Sequence, residues 1–284
     1  MKVGVALPHY DQPGAPADMQ RVVDVSRECE RLGFDSVWVS DHLVFDLAKY
    51  GGSADPIGCL EPLTTLAVLA RETSRVRLGT MVLCNELRHP ALVAKAAASI
   101  DLASAGRLEL GIGAGWYERD FLPFGISMPR PGVRLARLAE SVEVLKGLLS
   151  GRPFSWSGRH YRIDDAVMMP PPAQRPRPAI WVGGKGDRAV ALAGRVGDGW
   201  NAAWFSDPAA YKDRIRRLGG SKVRRSIGQY AQGSAQEMVD RLQAFAALGV
   251  EHAVMCFGTV PFALDDPDDV ARFASDVLPH VRGA

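Results

Sequence analysis

Two neighbouring ionisable residues follow a short apolar segment early in the chain, and they could move a proton on a ligand. Asp41 and His42 come directly after residues 34–40, Phe-Asp-Ser-Val-Trp-Val-Ser, whose pattern predicts a strand. Imidazole changes charge near neutral pH, so His42 suits a general acid or base. Asp41 could bind a ligand or orient the imidazole. The structural alternative is a capping aspartate beside a solvated histidine.

A later segment has glycine at alternate positions, so one face of the predicted strand carries no side chains there. Residues 107–112, Arg-Leu-Glu-Leu-Gly-Ile, predict a strand with one packed face, and Gly111, Gly113 and Gly115 occupy alternate positions. Three missing Cβ atoms on one face allow a planar ligand or a neighbouring backbone to come close. Residues 116–118, Trp-Tyr-Glu, then add aromatic rings and a carboxylate. This combination indicates the wall of a binding site, and the alternative is a tight strand exit without a ligand.

A third segment combines glycine with a positive charge. Gly183, Gly184, Lys185 and Gly186 lie between a short predicted strand and the predicted start of a helix. Free backbone N–H groups at such a junction attract anions, so we expect a phosphate group here. The spacing fits neither a P-loop nor a dinucleotide fingerprint. A plain strand-to-helix glycine turn is the alternative.

A repeat of strands and helices must position these three segments. The patterns predict eight strands, each followed by a helix, and strict alternation is typical of a parallel sheet. Eight such units in 284 residues close best as a (β/α)8 TIM barrel, an α/β fold, in a single domain over residues 1–284. A doubly wound open sheet is the alternative. Residues 151–178 interrupt the repeat and predict a small hairpin-like insertion followed by a proline-bearing linker.

The carboxyl ends of the predicted strands carry most of the polar and aromatic candidates. In a TIM barrel these ends meet at one mouth, where function is found. The candidates at these ends are His9, Asp41, His42, residues 81–85, residues 113–118, residues 183–186, Trp200 and Asn201. Their gathering at one end of the barrel is the main physical argument for an enzyme.

Composition excludes several classes of partner. The 34 basic and 32 acidic residues leave a net charge of +2, which gives no electrostatic footprint for nucleic acid or for an anionic membrane. The four cysteines are scattered without metal-ligand spacing, so we expect reduced thiols, a cytoplasmic location and no metal site. The apolar segment at the start is too short for a signal peptide, and no apolar run reaches the length of a membrane span.

Several segments, taken together, resemble the luciferase-like monooxygenase superfamily. They are Val-Ser-Asp-His at 39–42, Arg-Leu-Gly-Thr-Met-Val at 77–82, Arg-His-Pro at 88–90, Gly-Arg-Leu-Glu-Leu-Gly-Ile-Gly-Ala-Gly-Trp at 106–116, Trp-Val-Gly-Gly at 181–184 and Asp-Gly-Trp-Asn at 198–201. The resemblance implies a TIM barrel that binds FMN or the deazaflavin coenzyme F420 at its mouth. It is closest to the F420-dependent oxidoreductase branch.

The resemblance also implies roles for individual residues. It places Asp41 and His42 beside the cofactor ring, with His42 as the proton partner. It implies that Thr80, Met81 and Val82 form a bulge with a non-proline cis peptide bond that backs the ring, at Met81–Val82. An ordinary buried strand end is the alternative for this bulge.

Further candidates line the predicted pocket at the barrel mouth. Asn85, Ala114 and Gly115 join the glycine segment at 183–186 as cofactor-binding candidates, and Glu118 joins His42 as a catalytic candidate. Ala114 is a departure, because some F420-dependent dehydrogenases carry a glutamate acid here and luciferase-like FMN enzymes an arginine that contacts phosphate. Alanine can do neither, which puts a sugar-phosphate dehydrogenase in doubt and weakens the FMN mode.

Arg88 and His89 stand just before Pro90, a residue that is favourable in a first helical turn. They either hold neighbouring loops or contact the cofactor tail.

The sequence therefore predicts an oxidoreductase that transfers a hydride between F420 and a small organic substrate. An FMN-dependent monooxygenase that uses reduced flavin and oxygen is the alternative, and a third hypothesis is a barrel that binds the cofactor without turnover. A homodimer is expected, because two-fold dimers are the commonest assemblies. The loops at 43–61, 116–131 and 151–172 should set specificity, and they carry no recognisable substrate signature.

Overall fold

Parallel strands alternate with helices along the computed structural model, which describes residues 1–12, 14–205 and 207–282. The strands are Lys2–Ala6 (β1), Ser36–Val39 (β2), Arg77–Thr80 (β3), Leu83–Cys84 (β4), Leu108–Gly113 (β5), Phe154–Ser157 (β6), Arg162–Ala166 (β7), Ala179–Gly183 (β8), Gly199–Ala202 (β9), Arg224–Tyr230 (β10) and His252–Cys256 (β11). The helices are Met19–Arg31 (α1), Pro62–Glu72 (α2), Pro90–Ala103 (α3), Pro131–Leu149 (α4), Asp187–Val196 (α5), Pro208–Ile215 (α6), Ala235–Ala247 (α7), Asp268–Asp276 (α8) and Leu278–Val281 (α9).

The main sheet closes on itself. Its strands run in the order β3, β2, β1, β11, β10, β9, β8, β5 and β4, and a further pairing joins β3 to β5. The pairs within this sheet are parallel. Since β3 and β4 are two halves of one interrupted strand, the sheet is a barrel of eight strands. The predicted (β/α)8 barrel is confirmed.

The insertion predicted at residues 151–178 is an antiparallel hairpin of β6 and β7. The carboxylate of Glu140 on α4 holds its tip, because it accepts hydrogen bonds from the backbone N–H groups of Arg159, His160 and Tyr161 at 3.0, 2.9 and 3.2 Å. This anchoring places the side chain of Tyr161 beside the barrel mouth, next to Asn85.

The predicted helix at 268–281 is broken into α8 and α9. Pro279 is the cause, because proline lacks the N–H that a continuous helix needs and is accepted only in a first turn. Among the described residues, no helix combines the length and the apolar character that crossing a membrane would require.

The third barrel strand contains a one-residue bulge between β3 and β4. Gly79 pairs with Glu109 and Leu83 with Ile112, so four steps on one strand match three on the other. The Thr80 hydroxyl spans the gap, because it donates to the Gly111 carbonyl at 2.8 Å and accepts from the Gly111 N–H at 2.9 Å.

The peptide bond between Met81 and Val82 in this bulge is cis, as the resemblance implied. The Met81 side chain is buried in the cluster that fills the upper barrel, and its N–H donates to the Val39 carbonyl at 2.7 Å.

Glycines on neighbouring strands receive the side chain of Val82. A Cβ atom at Gly113 or at Gly183 would lie 2.7 Å from a Val82 methyl group, and one at Gly111 would lie 3.1 Å from it. A Cβ at Gly115 would lie 2.6 Å from the sulfur of Cys84. The glycine-bearing strand face therefore accommodates the bulged neighbouring strand. Of the two predicted occupants of this face, a planar ligand or a neighbouring backbone, the structure shows the second.

Two tryptophans fill the centre of the barrel. Trp38 and Trp181 are fully buried, and a Cβ atom at Gly79 or Gly199 would overlap the ring of Trp38 or Trp181 respectively. The Trp181 indole N–H donates to the buried carboxylate of Glu109 at 2.7 Å. This layer separates the carboxyl-end mouth of the barrel from its amino end.

Candidate active site

His42 and Asp120 form a hydrogen-bonded pair at the barrel mouth. His42 Nδ1 lies 2.7 Å from Asp120 Oδ2, and Oδ1 of the same carboxylate accepts from the Leu43 N–H at 2.8 Å. Asp120 is buried at the end of the short 3₁₀ turn Glu118–Asp120. A carboxylate accepts only, so Nδ1 carries the hydrogen of this bond. Among the described residues, none is hydrogen-bonded to Nε2 of His42.

This arrangement suits proton transfer. With Nδ1–H held by Asp120, neutral His42 presents the lone pair of Nε2, which can take a proton from a ligand. The adjacent carboxylate then stabilises the imidazolium that forms, and it fixes both the tautomer and the orientation of the ring. His42 and Asp120 together can thus serve as general base and, in reverse, as general acid.

Aromatic rings surround the imidazole on several sides. The ring centroids of Phe45, Tyr117 and Trp116 lie 4.7, 5.3 and 5.9 Å from that of His42. Trp116 is 47% exposed, and the ammonium group of Lys49 lies 4.0 Å from its ring centroid. The imidazole is thus confined by packing as well as by its hydrogen bond, while one neighbouring indole faces solvent.

The structure brings Asp120, rather than the predicted Glu118, to His42. Glu118 is exposed at the start of the same turn. Sequence reasoning named the first carboxylate after the glycine segment and missed the one two residues later. Local sequence gives no signal for that choice, because Asp120 and His42 are 78 positions apart.

Asp41 is committed to protein partners. Its carboxylate accepts from Arg88 Nη1 at 2.6 Å, from Arg88 Nη2 at 3.0 Å and from the Cys84 N–H at 2.8 Å, and its side chain is fully buried. It does not bond to His42, so the orientation of the imidazole falls to Asp120, and the contact of Asp41 with a cofactor stays a prediction. Arg88 also pairs with Glu61 at 2.7 Å.

His89 has a structural role too. Its Nδ1 accepts from the Ala91 N–H at 3.2 Å and so caps α3. Arg88 and His89 therefore both hold neighbouring segments in place, which is the first of the two roles considered for them.

Most of the other residues predicted to contact the cofactor are hydrogen-bonded or packed within the protein, and Asn85 is an exception. The Thr80 hydroxyl is used within the sheet, and Met81 and Val82 pack against protein. Ala114 packs against the outer hydrophobic core. Asn85 differs, because its buried Oδ1 has no hydrogen-bond partner within residues 1–12, 14–205 and 207–282.

The glycine segment ends at the start of α5. Gly186 caps this helix without a side chain, and a Cβ atom placed there would meet open space. Among the described residues, no acceptor bonds the backbone N–H groups of residues 185–188. Asp187, in the first turn, is paired with Arg214 and Arg217. Free N–H groups at the positive end of a helix, with space in front of them, fit an oxyanion.

Lys185 stands beside this helix start. Its Nζ donates to the Trp204 carbonyl at 3.0 Å and lies 5.2 Å from the ring centroid of Phe205. Burial, and then the charge of Lys49, lower the pKa of Lys185. The side chain thus adds a nearby cation to the donors of the helix.

His9 is a neutral, buried histidine below the mouth. Its Nδ1–H donates to the Leu7 carbonyl at 3.0 Å, and Nε2 accepts from the Ser40 N–H at 3.2 Å. Burial lowers the pKa of His9 to about 4. The imidazole therefore holds the ends of β1 and β2 together. Only its neutral form can do so, because Nε2 must be unprotonated to accept the Ser40 hydrogen bond.

His9 should make the fold sensitive to mild acid. Unfolded histidine binds a proton near pH 6.5, whereas folded His9 does so only near its pKa of about 4, so stability falls as the pH drops between these values. The expected contribution is a loss of about 2 kcal/mol between pH 7 and pH 5. We predict that His9→Gln lowers stability at pH 7 but removes this part of the pH dependence.

Urea denaturation of both proteins at pH 7 and pH 5 measures the effect. His252, whose pKa burial lowers to about 3, acts with the same sign and remains in both proteins. If wild type and His9→Gln lost the same unfolding free energy between pH 7 and pH 5, His9 would not be a source of the pH dependence.

The fold and the site define a TIM-barrel protein with a histidine–aspartate pair at the mouth of the barrel. The family described as luciferase-like monooxygenase matches residues 1–231. The chain belongs to this family.

Curated relatives are similar over much of the chain. An F420-dependent glucose-6-phosphate dehydrogenase of Nakamurella multipartita is 35% identical over 195 residues, which are 68% of this chain and 55% of that protein. One of Beutenbergia cavernae is 38% identical over 262 residues, 90% of this chain and 75% of that protein. An F420-dependent hydroxymycolic acid dehydrogenase of Mycobacterium tuberculosis is 31% identical over 258 residues, 88% and 64% of the two chains. The chain spans about half the length of several curated relatives that it matches.

Solved structures share the fold. An F420-dependent secondary alcohol dehydrogenase in complex with an F420-acetone adduct superposes with a TM-score of 0.80 at 19% identity. The F420-dependent tetrahydromethanopterin reductase of Methanopyrus kandleri gives 0.78 at 17% identity, and the monooxygenase RslO1 of Streptomyces bottropensis gives 0.72 at 24% identity. Each match covers 99% of both chains, and it establishes the barrel architecture.

Proposed function

We propose that this chain, as one barrel domain over residues 1–284, is an oxidoreductase that uses coenzyme F420 to exchange a hydride with a small organic substrate. The observation that carries the proposal is the imidazole of His42, held at Nδ1 by Asp120 and free of protein partners at Nε2 within the described residues. The names of the curated relatives support the choice of F420.

The residues at the mouth fit such a cofactor. The uncapped start of α5 and Lys185 suit its phosphate, and Asn85 offers an unused buried acceptor. The bulge at Met81–Val82 and the neighbouring His42 would flank its ring. When bound, the deazaflavin ring accepts or supplies the hydride.

The protein's own part is proton transfer. For a substrate with a C–OH group, Nε2 of His42 takes the hydroxyl proton while the carbon gives up its hydrogen with the bonding electrons, and a C=O group forms. Asp120 stabilises the resulting imidazolium. In the opposite direction the imidazolium returns the proton to the carbonyl oxygen. The exposed loops around Trp116 would admit the substrate.

An FMN-dependent monooxygenase is the competing function within the same family. Ala114, which cannot contact a phosphate, argues against it, because this is the position where luciferase-like FMN enzymes carry arginine.

Titration of the purified protein with F420 and with FMN, followed by tryptophan fluorescence, separates the two functions. Trp116 lies beside His42 and should report a ligand at the mouth. The proposal predicts saturable binding of F420 at least tenfold tighter than that of FMN. Tight FMN binding without F420 binding would overturn it.

We further propose that the protein works as a cytoplasmic homodimer. Unpaired cysteines, which the structure shows at all four positions, suit a reducing compartment. Two-fold symmetry is the commonest arrangement of soluble oligomers.

A further inference from the structure

Asn85 carries a hydrogen-bond acceptor that the protein leaves unused. Asn85 follows β4 directly and is only 2% exposed. Its Nδ2 donates to Glu86 Oε1 at 3.2 Å and to the Tyr161 hydroxyl at 3.3 Å, so both hydrogens of the amide have acceptors. Its Oδ1 is buried and has no hydrogen-bond partner in the part of the chain that the structure describes. A buried acceptor without a donor is costly, and such groups are rare unless a ligand or water completes them.

The carboxylate of Glu86 fixes the orientation of the Asn85 amide. The carboxylate of Glu86 is 2% exposed and is held at Oε2 by Arg137 at 2.7 Å. Since a carboxylate only accepts hydrogen bonds, rotating the amide would set two acceptors against each other. Nδ2 must therefore face Glu86, and Oδ1 must point away from it.

Asn85 lies at the same edge of the mouth as His42. The residue before it, Cys84, donates its N–H to the carboxylate of Asp41, and Asp41 precedes His42 in the sequence. The Asp41 carboxylate therefore holds the backbone next to Asn85 close to the backbone next to His42.

We propose that Asn85 Oδ1 accepts a hydrogen bond from the imide N–H of the deazaflavin ring, so that Asn85, oriented by Glu86, selects the pyrimidine end of the cofactor. The inference rests on the proposed function. An imide N–H can donate to this acceptor, whereas both amide hydrogens of Asn85 already have acceptors in the protein. Glu86 is a positioning residue, because it acts only through the amide that it orients.

A double-mutant cycle tests this contact. We compare the Kd of F420 with that of F420 methylated at the imide nitrogen, for wild type and for Asn85→Leu, in the absence of substrate. Wild type should bind the methylated cofactor at least about tenfold more weakly, and Asn85→Leu should bind F420 at least about tenfold more weakly than wild type does. The variant should no longer discriminate between the two ligands.

Tyr161→Phe is the matched control. It removes one acceptor of Nδ2 but leaves Oδ1 and Glu86 in place, so the Kd of F420 should stay within about threefold of wild type. The methylated cofactor tests the contact in wild type itself, so the test holds even where Asn85→Leu does not fold.

Two results would overturn this inference but leave the proposed function standing. The first is equal affinity of wild type for F420 and for methylated F420. The second is an unchanged Kd of F420 in Asn85→Leu together with a raised KM for substrate, which would show that the substrate supplies the donor. Failure of wild type to bind F420 at all would overturn the proposed function, and this inference with it.

Discussion

Replacement of His42 by glutamine should lower kcat/KM by about 10²- to 10⁴-fold, while the Kd of F420 stays within about threefold of wild type. Glutamine can still form hydrogen bonds but cannot take up a proton at the position of Nε2. The substrate hydroxyl would then lose its proton to water, without the imidazolium that Asp120 stabilises. Reduction of F420 by whichever compound is active in a panel of alcohols and sugar phosphates provides the assay.

Two further variants make this prediction specific. Asp120→Asn should lower kcat/KM by about 10²-fold or more, because an amide can hold the wrong tautomer of His42 and does not balance its positive charge. Glu118→Gln, two residues away on the same turn and exposed, should change kcat/KM less than threefold. Loss of activity in Glu118→Gln with full activity in Asp120→Asn would reverse the assignment of the carboxylate.

Replacement of Arg88 by methionine should destabilise the fold by about 3–5 kcal/mol. The change leaves the fully buried carboxylate of Asp41 with one N–H donor, from Cys84, and without its cation. A buried charge that has lost its partner cannot recover its hydration, so the native state bears the cost. Equilibrium denaturation in urea measures the change in the free energy of unfolding.

The double variant Asp41→Asn, Arg88→Met supplies the control. Removing both charges leaves no uncompensated ion, so it should recover at least half of the stability that Arg88→Met loses. A single variant within 1 kcal/mol of wild type, or a double variant less stable than the single one, would contradict the role of this ion pair.

Elements that depend on local pattern could be predicted from the sequence. Alternating apolar strands and helical spacing gave the eight repeats of the barrel, and glycines and prolines marked the hairpin insertion between β5 and β8. The bulge needed the family resemblance, because residues 80–82 have no pattern that distinguishes them from an ordinary strand end. The position of the cis peptide bond then agreed with the structure.

Features that depend on long-range packing could not be predicted. The partner of His42 is 78 positions away, and the partner of Asp41 is 47 positions away, so neither pairing leaves a local signal. The glycine-bearing face of β5 was compatible with a ligand or with a neighbouring backbone. Only the register of the bulged strand shows that Val82 occupies it.

Transfer of the substrate's own hydrogen is the most direct test of the account. A substrate carrying deuterium on the carbinol carbon is oxidised with F420 under anaerobic conditions, and the reduced cofactor is examined by mass spectrometry. If F420 receives the hydride directly, the reduced cofactor should carry one deuterium, wild type should show a primary kinetic isotope effect, and turnover should proceed without oxygen. Turnover that requires oxygen and leaves no deuterium in the cofactor would contradict it.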